Sequence, residues 1–234
     1  MAAFAIVVLT ALSYAIGWAI GRPLLVPFLN TAASFPFMVL ALRRGDLQTA
    51  IARMLVWAAA LGVSATLLSY AQPWRTDAFF VNGEAYRVEM FGWVMSGVGA
   101  ESEPREFIPE QLRHAAIFSV LALATGGVLA MPMGAALMNY MGHDVGALAA
   151  SSARPVATMV LGWHPWAMVR VASFVVLGVV LSAPLLAWTA GARIDKAVAK
   201  RAMLWAGAGL VVDIVLKAAL APAWQRLLLK VVGW

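Results

Sequence analysis

Long apolar stretches separated by short polar loops run through most of this chain. A helix that crosses a bilayer needs about 20 predominantly apolar residues, and several of the stretches reach that length. The pattern predicts an all-α integral membrane protein, a polytopic bundle of about six transmembrane helices, with five to seven as the range. The predicted spans are 2–21, 24–42, 49–71, 113–137, 166–190 and 202–222, all within a single membrane domain, 1–234.

Two apolar segments depart from a simple span. The segment 24–42 carries Pro27, Asn30 and Pro36, so it is predicted to be kinked or re-entrant rather than a straight helix. The segment 146–163 is only moderately apolar and has Arg154 in its middle. It is predicted to lie at the interface or to be re-entrant, because a full crossing would place that guanidinium at mid-membrane.

The sizeable polar segment lies at 74–112 and is predicted to form a small extramembrane loop or hairpin. Within it, Asn82-Gly83 stands between apolar and aromatic flanks, which is typical of a two-residue β-hairpin; a loop on the membrane face is the alternative. The acidic run at 101–110 is typical of a solvated surface.

The charges of two loops predict the orientation of the chain in the membrane, and the charge of a third loop conflicts with it. Loop 74–113 has four basic and seven acidic residues and is predicted to lie outside, whereas 43–53 has three Arg against Asp46 and is predicted to lie inside. With six spans, the basic loop 191–201 falls outside, against the positive-inside rule. A seventh crossing at 146–163 would move that loop inside.

Composition supports a membrane location. The chain is 63% hydrophobic and 12% charged, with a mean hydropathy of +0.84, while soluble domains carry about 25% charged residues. The net charge of +6 is attributed to loops that meet anionic lipid headgroups, so lipids are expected partners and nucleic acid is not. The absence of cysteine excludes disulfides and thiolate sites. The Ala-rich composition favours the bacterial cytoplasmic (inner) membrane.

Asp213 and Lys217 lie one helical turn apart inside the last apolar stretch. A charge in hydrocarbon costs about 2.5–3.5 kcal/mol even on lenient scales, so the pair is expected to face protein or water. Arg170 is a plausible third member, and Asn30 is a polar residue inside the second span. The group is interpreted either as a structural ion pair or as an ion or proton site.

Two further sets of residues are candidates for chemistry. Asn139, Tyr140, His143 and Asp144 form a polar cluster at the end of the fourth span, interpreted as a polar substrate or metal site or as an ordinary helix end. His114 and His164, at membrane edges, are candidate ligands of haem or a tetrapyrrole pigment, or interfacial hydrogen-bonding groups. No metal site and no catalytic motif is predicted.

These observations favour a non-catalytic subunit or scaffold of a larger membrane complex, which binds other subunits or associates with itself. Stripes of small residues would support close helix contacts; they are Ser13, Gly17 and Gly21, and Gly126, Ala130 and Gly134. The alternative is a small transporter or channel with a polar site near Asp213 and Lys217. A membrane-embedded lipid-modifying enzyme that uses the Asn139 cluster is the third hypothesis.

Overall fold

The apolar stretches and most of the polar segments are helical. A computed structural model describes all 234 residues and contains no strand. In chain order the helices are α1 (Ala2–Ile20), a 3-10 turn (Pro23–Leu25), α2 (Val26–Ala32), α3 (Phe35–Arg43), α4 (Leu47–Ala71), α5 (Pro73–Phe79), α6 (Gly83–Ser96), α7 (Pro104–Thr125), α8 (Ala130–Ala150), α9 (Pro155–Gly162), α10 (Pro165–Ala190) and α11 (Lys196–Val232).

Five helical segments are long and apolar enough to cross a membrane: 2–20, 23–43, 47–71, 165–190 and 196–232. Large apolar side chains on these segments are exposed, among them Leu12, Val63 and Val211. Such exposure suits a lipid environment, since soluble monomers rarely expose large contiguous apolar surfaces. The all-helical class is confirmed, and the five segments are compatible with an integral membrane protein; the number of crossings stays a prediction.

The second predicted span is interrupted. Its helices α2 and α3 meet at Ala33–Ser34, just before Pro36 at the start of α3. Because proline lacks an amide hydrogen and fixes its φ angle, it favours the first turn of a new helix over the interior of a continuous one.

The prediction of a continuous span over 113–137 is wrong. Gly126 and Gly127 both have positive φ, 60° and 89°, and they end α7 before α8 begins at Ala130. Two consecutive left-handed residues cannot continue a right-handed helix. The side chain of Phe118 on α7 packs near Gly134 on α8, so the chain turns back on itself here.

The predicted β-hairpin in the 74–112 segment is also wrong. Asn82 does adopt the left-handed conformation, with φ 55°, but it joins helix α5 to helix α6. Gly83 is required because a Cβ there would lie 2.8 Å from the Asp77 carbonyl oxygen. The Asn-Gly pair therefore supplies a tight turn between two helices.

Helix α8 lies at the centre of the bundle, where 14 of its 21 residues are buried. It packs in parallel against α4 with almost no side-chain layer between the backbones. A Cβ on Gly142 would lie 2.5 Å from the Ala65 Cβ, and one on Gly146 would lie 2.8 Å from the Tyr70 amide nitrogen. Glycines at four-residue spacing allow this approach.

The two basic loops lie on the same face of the bundle. The Arg193 amide donates to the Leu42 carbonyl at 2.8 Å, which joins the loop after α10 to the end of α3. Loops 43–53 and 191–201 therefore lie at the same end of the bundle, and the side of the membrane that this end faces stays a prediction. We call this end the basic face; its seven basic residues against Asp46 and Asp195 are Arg43, Arg44, Arg53, Arg193, Lys196, Lys200 and Arg201.

The other end, here called the opposite face, carries α5, α6 and the end of α11. The Ala153 amide donates to the Val232 carbonyl at 2.9 Å, which holds the turn after α8 at this end. From there α9 leads inward to Trp163, which packs against Gly62, and α10 continues to the basic face. The helices thus run alternately between the faces as α1, α2–α3, α4, α7, α8, α9–α10 and α11.

This arrangement predicts the accessibility of single cysteines, since the chain has none of its own. Gln48→Cys and Ala197→Cys lie at the basic face, and Ala85→Cys lies at the opposite face; all three positions are exposed. In intact cells, a membrane-impermeant maleimide should modify Gln48→Cys and Ala197→Cys alike, and Ala85→Cys should show the opposite accessibility. Different behaviour of Gln48→Cys and Ala197→Cys would contradict the shared face.

Candidate functional site

Four charged side chains form two largely buried ion pairs close to where α7, α10 and α11 meet. Arg170 Nε and Nη2 donate to the two Asp213 carboxylate oxygens at 2.8 and 3.1 Å, and Gln111 also donates to Asp213. Lys217 Nζ lies 2.8 Å from Glu101 Oε1. We call these five residues the ion-pair cluster. Asp213 and Lys217 were predicted to pair with each other, but each pairs with a residue outside α11: Asp213 with Arg170 and Lys217 with Glu101. The contact of Arg170 with Asp213 agrees with the prediction of Arg170 as a third member.

The spacing along α11 explains why these two charges point inward. The buried residues of this helix recur every three to seven positions along one stripe that includes Asp213, Lys217 and Ala221, and the rest of the helix faces outward. One turn before Asp213, Gly209 lies against Ser173 on α10. This close approach of α10 and α11 brings the Arg170 guanidinium within reach of the Asp213 carboxylate.

Glu101 enters the cluster from the loop after α6. Gly97 and Gly99 both have positive φ, and Trp93 Nε1 donates to Ser102 Oγ at 2.7 Å, which folds the loop inward. Burial alone would raise the pKa of Glu101, but the charge and hydrogen bond of Lys217 outweigh it and hold the pKa below its usual range. The carboxylate is therefore charged at neutral pH and is not part of a solvated acidic surface.

A small polar cavity adjoins the ion-pair cluster. Its volume of about 20 Å³ admits one water-sized species. Its polar lining comes from Tyr86, Glu101, Asp144, His164 and Arg170. Asp144 Oδ1 and His164 Nε2 are buried and have no hydrogen-bond partner. Because buried polar atoms almost always have partners, these two indicate a place for a ligand, a water molecule or a proton.

A second network runs from α4 to α6 through α8. His143 Nδ1 lies 3.0 Å from Ser69 Oγ, His143 Nε2 lies 2.9 Å from Asp77 Oδ1, and Arg87 binds both Asp77 oxygens at 2.8 and 2.9 Å. The Ser-His-Asp order resembles a nucleophile with its base. Ser69 is fully buried, however, and lies against Gly146 at the α4–α8 contact, so no acyl group can approach its hydroxyl.

Asp77 in this network is held ionised. Burial by itself would raise the pKa of Asp77, but hydrogen bonds and charge from Arg87 and His143 outweigh burial and lower it. The four groups are hydrogen-bonded to one another and link four helices, α4, α5, α6 and α8, so the network serves to hold these helices together.

A third network holds the interrupted second span in place. Asn139 on α8 donates to Asn30 Oδ1 at 3.1 Å and accepts from Tyr14, and Asn30 donates to Ser13 Oγ at 2.8 Å. Trp57 Nε1 donates to the Asn30 carbonyl at 2.9 Å. Each side-chain nitrogen and oxygen of Asn30 and Asn139 thus has a hydrogen-bond partner within the chain, and both residues are buried.

The four residues of the predicted cluster at Asn139 therefore face different parts of the structure and do not form one site. Asn139 and His143 face the two structural networks, Tyr140 stacks on Tyr86 with ring centroids 5.3 Å apart, and Asp144 faces the cavity. No three His, Asp or Glu side chains converge in a geometry that would hold a metal.

His114 and His164, the two histidines predicted at membrane edges, lie in different environments. His114 is partly exposed on α7, 3.3 Å from Glu110. His164 is buried and stacks on Trp166 with ring centroids 4.7 Å apart, with Trp93 at its edge. These indoles occupy the space that a pigment macrocycle would need at His164, so haem or pigment ligation finds no support from its geometry.

Comparisons with protein families, with curated proteins and with solved structures found no match for this chain.

Several residues of these networks were not predicted from the sequence: Ser69, Asp77, Glu101 and Gln111. The motif Gly142-x-x-x-Gly146 is the signal that was available, because it marks α8 as a helix packed tightly inside the bundle. A polar helix in that position must bury Asp144 and its neighbours. Glu101 had no local signal, since its partner Lys217 lies more than a hundred residues away.

Loss of Arg170 should strongly destabilise the protein. In Arg170→Met the fully buried Asp213 carboxylate keeps only Gln111 as a partner, and breaking a buried pair in this way costs about 3 kcal/mol or more. Denaturant-induced unfolding in detergent measures the change. Arg113→Met is the matched control, because its pair with Glu110 is exposed and should contribute nothing measurable. Equal stability of the two variants would contradict the buried pair.

Proposed function

We propose that the protein is an integral membrane transporter that binds a small charged solute at the cavity beside the ion-pair cluster. The observation that supports this most is the pair of unpartnered buried atoms, Asp144 Oδ1 and His164 Nε2, that line a polar cavity next to four charged side chains. Ionisable groups within apolar helices are costly and commonly mark solute or ion pathways.

Access to the cavity differs between its two sides. Toward the opposite face, the Glu101 side chain is 20% exposed and also lines the cavity. Toward the basic face, α7 and α10 pack through Phe118, Phe174 and Leu177, a buried apolar cluster. A site open to one side and closed to the other is what one state of an alternating-access transporter requires.

The scaffold hypothesis loses one of its supports. Gly17 packs against Val26 and Phe79, and Gly134 packs near Phe118, so the small-residue stripes serve contacts inside the chain. Association with other subunits or with itself remains a prediction. The enzyme hypothesis is disfavoured because Asn139 and His143 are engaged in structural networks.

We further propose that the basic face is cytoplasmic in a bacterial inner membrane and that 74–112 lies outside. The basic loops 43–53 and 191–201 gather on one face, and that excess of Arg and Lys is the pattern that membrane insertion places on the cytoplasmic side. The cavity would then open to the outside in the state described above.

Reconstituted flux tests the proposal. Purified protein in liposomes should dissipate an imposed gradient of H⁺, Na⁺, K⁺ or ammonium, read with ion-sensitive dyes inside the liposomes. Asp144→Asn should abolish the flux, because the substitution removes the ionisable carboxyl group at the cavity without removing any protein hydrogen bond from Oδ1.

The control for this experiment is Glu89→Gln, which alters an exposed acidic residue on α6 that does not line the cavity and should retain full flux. Both variants should elute from gel filtration like the unaltered protein. Absence of flux for all four ions, or equal flux in Asp144→Asn, would contradict the transporter.

A further inference from the structure

If the proposed transport function holds, the chemistry of the cavity indicates which ion is the solute. We propose that the ion bound there is a proton, that Asp144 is the group that binds it, and that the proton exchanges with the opposite face through the cavity and past Glu101.

Charge balance around the cavity supports a neutral Asp144. The two cations, Arg170 and Lys217, are already matched by Asp213 and Glu101 through direct ion pairs. An ionised Asp144 would be a fifth charge with no partner, in a buried position where an uncompensated charge is very costly. A proton on the carboxyl removes that charge without any further group.

The ionisable groups of the cavity and of the ion-pair cluster, and those beside Asp144 on α8, are consistent with this balance. They are Tyr86 on α6, Glu101 in the loop after α6, His164 between α9 and α10, Arg170 on α10, Asp213 and Lys217 on α11, and Tyr140 and His143 on α8 itself. None of these is an unpaired cation facing Asp144, and His143 is turned away to Ser69 and Asp77.

The size and donor set of the cavity disfavour a metal cation. Ca²⁺ takes about six to eight oxygen ligands, and Mg²⁺ needs an octahedral set. Only three side chains present oxygens here, Tyr86, Glu101 and Asp144, and Glu101 is engaged by Lys217. The Arg170 guanidinium lines the same small space and would repel a second cation.

The two unpartnered atoms complement each other once the proton is bound. A protonated Asp144 has an O–H donor, and a neutral His164 has a ring nitrogen that accepts. A single water, for which the cavity has room, can accept from Asp144 and donate to His164 Nε2. On release the proton passes from the carboxyl oxygen to this water and leaves toward Glu101, and Asp144 becomes a carboxylate; no bond other than O–H forms or breaks.

Infrared difference spectroscopy of the full chain in nanodiscs tests this directly. At neutral pH the unaltered protein should show the C=O band of a protonated carboxylic acid, and this band should disappear at alkaline pH. Asp144→Asn should lose the band, Glu89→Gln should keep it, and Na⁺ or K⁺ should leave it unchanged. If Asp144→Asn does not fold, Asp144→Glu serves instead, because it should shift the frequency of the band.

The outcomes separate this proposal from the transport function. A neutral-pH band that depends on Asp144 in a protein without flux supports the proton site and overturns the transporter. Flux without such a band supports the transporter and overturns the proton site. Loss of the band on addition of Na⁺ or K⁺ would overturn the proton as ligand in favour of a metal cation.

Discussion

The close contact between α4 and α8 is the constraint on which the rest of the structure depends. Gly142 and Gly146 let the two backbones meet without a side-chain layer, which places α8 in the middle of the bundle with other helices around it. Only there can one helix carry Asn139, His143 and Asp144, since lipid cannot supply hydrogen bonds to such groups.

The three polar residues of α8 then have different roles. Asn139 and His143 find partners on α1, α2, α4 and α5, and these hydrogen bonds fix the interrupted second span and the helices at the opposite face. Asp144 finds none, although it lies beside a set of ion pairs that could have included one more partner. A fold that satisfies every other charge nearby yet leaves this carboxyl open points to function there, because stability alone would favour an apolar residue.

The parts of this fold that depend on length and hydropathy were predictable. Helices α1, α4 and α10 begin and end close to the predicted spans, because an apolar stretch of that length has few alternatives in a membrane. Hydropathy could not reveal the reversal at Gly126-Gly127, which is set by backbone conformation. It also missed α8, because the polar residues of this largely buried helix lower its hydropathy. The ion pair of Arg170 with Asp213 was within reach of sequence reasoning, whereas that of Lys217 with Glu101 depends on a loop fold that no local pattern encodes.

The most direct test of the α4–α8 contact is the unfolding free energy of Gly146→Ala in detergent, with Gly207→Ala as control. A methyl group on Gly146 would meet the Thr66 carbonyl oxygen and the Ser69 Cβ, whereas one on Gly207 meets nothing within 4 Å. Gly146→Ala should lose about 1–3 kcal/mol through overpacking, and Gly207→Ala should be unchanged or slightly stabilised by its helix propensity. A Gly146→Ala variant as stable as the unaltered protein would contradict the account.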